Sequence, residues 1–231
     1  MKTLGIIGGI GPESTIEYYR LLIDTFQERT RDGSYPHVIV NSIDLKRMID
    51  WFTKGELSEV VEYLTGELQR LARAGADFAL LSANTPHAVF DALSTRSPIP
   101  LLSIVEATCA EAKLRGLKKL ALFGTRFTMQ GRFYPEVFTR EGVALVVPDE
   151  EEQAFIHERY MNELLKGVFL EETRERLVAI AGRLKESEGV EGLILGGTEL
   201  PLILRGESAA GLPLLDTTRI HVNAAVAQLL S

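Results

Sequence analysis

The 231-residue chain carries few groups fit for acid–base chemistry, and the most suggestive stand where apolar runs stop. LLSANTPH (80–87) passes from an apolar run into small polar residues and a histidine, and LILGGTEL (193–200) passes into two glycines, a threonine and a glutamate. Asn84, Thr85, Thr125, Thr128 and Thr198 are short polar groups at such loop positions, beside helix N-termini whose backbone N–H groups favour a carboxylate. Glu199, His87 and Asp216 are the side chains there able to move a proton. No nucleophile accompanies them, since position 83 is alanine and position 197 glycine. Capping is the competing reading of the threonines, and a satisfied structural histidine competes equally at His87 and His221. His157, in EEEQAFIHERYMNEL, reads as an exposed helix residue.

Positioning such groups requires strands that end together. Short apolar runs near 3–7, 37–42, 77–82, 100–102, 118–123, 143–146, 191–195 and 213–215 alternate with helical periods over 14–29, 57–73, 86–93, 104–115, 129–140, 150–164, 171–187 and 217–229. That alternation predicts an α/β fold with parallel sheets covered by helices. Ser14 with Glu17 forms a capping-box pattern for the first helix. Three segments recur in order: Gly8 pairs with Gly124, Ala83 with Gly197 and Pro100 with Pro213, at offsets of 116, 114 and 113 residues. The chain therefore reads as two similar doubly wound parallel-sheet lobes, an internal duplication. Lobe one spans 1–97 plus 208–231 and lobe two spans 98–207, with the carboxyl ends of their strands expected to share a ligand cleft.

Composition narrows the partners. A formal net charge of −7 and a pI near 5.3 disfavour nucleic acid and anionic membranes, and no apolar run approaches the length of a membrane span. One cysteine, Cys109, permits no internal disulfide and suits a cytoplasmic protein; its helical context reads as a buried structural thiol. GGIGPES has Ser14 where a dinucleotide fingerprint needs its third glycine, and no His or Cys pair has metal-ligand spacing, so neither a cofactor nor a metal is expected.

GGIGPEST after the first strand, SANTPH at 82–87, GTRFT at 124–128, LGGTE at 195–199 and DTTRIH at 216–221 together resemble the aspartate/glutamate racemase family along the whole chain. The resemblance implies a cofactor-independent reaction. A cysteine before Asn-Thr and another before Thr-Glu flank the substrate's α-carbon, one thiolate removing the α-proton and the opposite thiol returning one. Here those positions are Ala83 and Gly197, so the two-thiol mechanism is impossible as written. The family's carboxylate anchors fall on Arg47, with Lys46 as an adjacent alternative, and on Lys166. Taken singly, these cations also read as solvated charges.

Two functions follow as expectations. One is an enzyme of the racemase superfamily that racemises, isomerises or decarboxylates a small acidic metabolite, with Glu199 on one side and His87 or Asp216 on the other. The alternative is a binding or regulatory protein that keeps the dicarboxylate pocket. A homodimer is expected from the same resemblance, and replacing both Ala83 and Gly197 by cysteine is expected to create α-proton exchange.

Overall fold

Buried apolar runs four to six residues long cannot carry a helix's amphipathic stripe, and they pair as parallel strands joined by helical crossovers. In the computed structural model, which describes residues 1–231, this happens twice. The first part of the chain runs β1 (Thr3–Gly8), α1 (Pro12–Thr30), β2 (His37–Ser42), α2 (Leu45–Lys54), α3 (Leu57–Arg73), β3 (Phe78–Leu81), a 3-10 turn over Thr85–Val89, α4 (Phe90–Arg96) and β4 (Leu101–Leu102). All four strands are parallel, in the order β2-β1-β3-β4. Its core gathers Leu4, Ile6, Leu22, Phe26, Phe78 and Leu80 with Val222 and Val226 from the chain's end.

The second part runs α5 (Ile104–Leu114), β5 (Lys119–Gly124), α6 (Arg126–Met129), α7 (Phe133–Arg140), β6 (Ala144–Val146), α8 (Glu150–Asn162), α9 (Glu171–Glu188), β7 (Gly192–Gly196), α10 (Leu200–Ile203), β8 (Ser208–Ala209), β9 (Leu212–Asp216) and α11 (Thr217–Leu229). Its sheet has the order β6-β5-β7-β9-β8, with only β8 antiparallel. The order β6-β5-β7-β9 repeats β2-β1-β3-β4 strand for strand, as the recurring segments imply.

Two compact units result: Met1–Ile104 with His221–Ser231, and Val105–Ile220. These boundaries differ from the expected 97/98 and 207/208. The reason is pairing: β4 joins β3 and β9 joins β7, so the Pro100 and Pro213 segments each stay with their own half. The capping box is also corrected. Gly11 stands at the N-cap and Pro12 begins α1, which leaves Ser14 buried inside the first turn. Helix α2 was not anticipated, although Asp44, whose side chain accepts from Lys46 N–H, and Gly55 in the left-handed region bracket the buried pair Met48 and Phe52. The helix expected over 129–140 starts later, as α7 at Phe133, and the short α6 precedes it with Gly131 in the break.

Candidate functional site

In the first unit the strand ends are stitched by backbone and hydroxyl groups. Gly9 adopts φ 76°, which aims its N–H at Thr15 Oγ1 (2.9 Å) and lets the chain turn into α1. From that helix Ser14 Oγ donates to the Ser82 carbonyl (2.8 Å), while Ser82 donates from N and Oγ to the Ile7 carbonyl (3.0 and 3.1 Å). The loop after β1 thereby pins the end of β3. Ala83 and Asn84 follow, buried at 9% and 3% exposure, and Thr85 is half-buried.

His87 lies in this loop, and both its ring nitrogens are engaged. Nε2 accepts from Ile104 N–H (3.2 Å), which assigns the proton to Nδ1 and its bond to the Ala83 carbonyl (3.1 Å); the ring stacks on Phe90 at 4.9 Å. His221 is held likewise, Nδ1 accepting from the Tyr18 hydroxyl (2.9 Å) and Nε2–H donating to the Leu102 carbonyl (3.1 Å). Burial pushes the pKa of His87 down to about 4 and that of His221 down to about 3. Both are neutral structural pins at neutral pH, and neither ring nitrogen of His87 is left for substrate.

Arg47, singled out in the sequence, lies on α2. The Arg47 guanidinium lies 4.7 Å from the Trp51 ring centre and 5.0 Å from that of Tyr63. Lys46 beside it is tied to Asp50 at 2.6 Å.

In the second unit β5, β7 and β9 end in step: Gly124 is opposite Gly196, and Leu195 opposite Asp216. Thr125 caps α6, its Oγ1 accepting from Thr128 N–H (3.3 Å), and the two hydroxyls lie 3.3 Å apart. Thr128 is fully buried, a brace for Thr125. Asp216 Oδ1 accepts from Arg219 N–H (3.0 Å), the bond of a helix cap on α11. Lys166 is exposed at the end of the 3-10 turn Leu164–Lys166. His157 departs from the sequence reading: it is half-buried and its Nδ1 accepts from Arg126 N–H (3.2 Å), with burial lowering its pKa. Cys109 is 2% exposed, and burial pushes its thiol up, away from the reactive thiolate.

At the end of β7 stands a neighbour with no signature in the sequence. Thr198 Oγ1 donates to Glu199 Oε2 (3.0 Å), and the Tyr160 hydroxyl of α8 donates to that same oxygen. Tyr160 and Glu199 are 4% and 1% exposed. A Cβ built on Gly197 would collide with the Tyr160 ring, coming within 2.8 Å of its Oη and 2.9 Å of Cζ. The aromatic ring thus occupies the room a side chain at 197 would need. Burial first, then the Glu199 carboxylate, raises the Tyr160 pKa well above 10 and keeps the phenol protonated. Ile156, Tyr160 and Leu164 repeat at helical spacing into the core, so periodicity marks Tyr160 only as core.

Paired parallel sheets of one strand order, with Ser-Ala-Asn-Thr and Gly-Gly-Thr-Glu at matching strand ends, define a class of protein. The Asp/Glu/hydantoin racemase family model matches residues 7–225, and the chain belongs to that family. An aspartate racemase homologue from Pyrococcus horikoshii is 35% identical and superposes with a TM-score of 0.86, each chain covered in full. The broad specificity amino-acid racemase RacX of Bacillus subtilis (strain 168) is 26% identical over 220 residues, 93% of this chain and 92% of its own length. The aspartate racemase of Picrophilus torridus shares the fold at 21% identity and a TM-score of 0.78, with 99% of this chain and 94% of that one covered.

Proposed function

We propose that the chain binds a small acidic amino acid or dicarboxylate and does not interconvert enantiomers by thiol chemistry. Family membership and the retained strand-end polar residues support the ligand class. Asn84, Thr85, Thr125 and Thr198 line the strand ends with polar groups, Thr128 braces Thr125, and Arg47 and Lys166 supply charge for carboxylates. The observation that carries the negative half is the pair of vacated positions, Ala83 with a methyl group and Gly197 with its side-chain space filled by Tyr160. An α-proton is very weakly acidic, and neither residue transfers protons. His87 and Asp216 drop out as acid–base groups in this reading, because one is held by backbone at both nitrogens and the other caps α11. The same reading makes the protein a cytoplasmic homodimer that works without a cofactor.

The test is calorimetry with L- and D-aspartate and glutamate, followed by chiral chromatography of long incubations. Saturable binding with unchanged enantiomeric composition is expected. Racemisation at an ordinary enzymatic rate overturns the proposal.

A further inference from the structure

Resting on that reading, we propose that Tyr160 and Glu199 together replace the missing side chain at 197 as a proton-exchanging pair acting on one face of a bound α-amino acid. The geometry is specific: the phenol occupies the volume that a Gly197 side chain would take, and its hydroxyl is already hydrogen-bonded to Glu199 Oε2. Thr198 donates to the same oxygen, which fixes the carboxylate against the strand end. Both groups are buried in the second unit, where a low dielectric strengthens the hydrogen bond between them. A phenol whose pKa is held well above 10 is no free base, and it acts as a relay to the carboxylate.

In the exchange step the Cα–H bond breaks and its proton moves to Tyr160 Oη. The phenolic proton moves along the existing hydrogen bond to Glu199 Oε2, which becomes a neutral acid. The electron pair left on Cα delocalises into the substrate's adjacent carboxylate as an enediolate. Exchange of the protons held by the pair with deuterated solvent precedes reversal, which returns a deuteron to the same face, so configuration is retained. Ala83, at the other proton-transfer position of the family pattern, has no transferable proton. The pair therefore predicts hydrogen exchange at Cα without inversion, an outcome distinct both from racemisation and from inert binding.

The experiment is proton NMR of L-aspartate, D-aspartate, L-glutamate and D-glutamate with the full chain in deuterated water, with chiral chromatography and calorimetry on the same samples. Loss of the α-proton signal of one enantiomer with its configuration kept is expected. Tyr160→Phe keeps the ring's volume and Glu199→Gln keeps the carboxyl's shape; each should slow exchange at least about 10²-fold while affinity stays within about threefold. Circular-dichroism melting of both variants establishes that they are folded, and a Tyr160→Phe protein that melts like the parent yet exchanges as fast overturns the pair. Binding without any exchange by the parent protein also overturns it, leaving the binding reading intact. Absence of binding overturns that reading and the pair with it.

Discussion

At the residue scale, the contact between Tyr160 and Gly197 changes what restoring chemistry requires. Any side chain at 197 must displace a buried ring, so Gly197→Ala should cost about 1–3 kcal/mol in urea unfolding, as overpacking does. In a Tyr160→Leu background that cost should shrink, and additive penalties in the four-protein cycle would contradict the contact. Ala83→Cys with Gly197→Cys should accordingly stay silent in α-proton exchange beyond any parental signal until Tyr160 is also shortened, for instance to alanine. That revises the expectation drawn from the sequence alone.

Histidines set the response to acid at the same scale. His87 and His221 have folded pKa values of about 4 and about 3 against 6.5 for the free side chain, so the unfolded state binds more protons between these limits. Their contribution is fully present above pH 6.5 and is lost as pH falls through the folded values. At pH 4.5 each should cost roughly 2–3 kcal/mol of unfolding free energy relative to pH 7. Urea midpoints at the two pH values check this, and a His87→Gln, His221→Gln double variant with an undiminished pH slope would refute it.

At the element scale, α2 is a short helix on which Arg47 lies over the ring of Trp51, one turn further along, and over that of Tyr63 on α3. Ten residues are too few for a helix to persist on propensity, so the Asp44 cap and the buried Met48 and Phe52 sustain it. Asp44→Ala should lower stability by about 1 kcal/mol, a drop of roughly 2–4 °C in melting temperature for a chain of this size. Unchanged melting would mean that the cap is dispensable. The turn that ends at Lys166 permits a cleaner binding test, since this residue is exposed. Lys166→Ala should weaken acidic-ligand binding at least about tenfold by calorimetry if the ammonium contacts a carboxylate. Equal affinity removes it from the site.

At the scale of the whole molecule, the two sheets repeat one strand order, and the family relationship extends over residues 7–225. The expected homodimer is tested by sedimentation at micromolar concentration, where a 25.6 kDa species alone excludes it. Parallel strands, the duplication, the polar strand ends and the absence of both thiols were legible in the sequence, because period, turn residues and residue identity are local properties. The unit boundaries were set at 97/98 and 207/208 from the sequence, and the strand pairing moves them, because the Pro100 segment joins β3 and the Pro213 segment joins β7. The commitments of particular side chains were not legible. Sequence alone left His87 and His221 open between reactive and structural roles until their hydrogen-bond partners appeared, and it left Asp216 a proton-transfer candidate until its bond to Arg219 N–H. Tyr160 looked like any core aromatic on α8. That its ring fills the space beside Gly197, and that its hydroxyl meets Glu199, depends on how α8 packs over the end of β7, a contact between segments distant in the chain that tertiary packing alone decides.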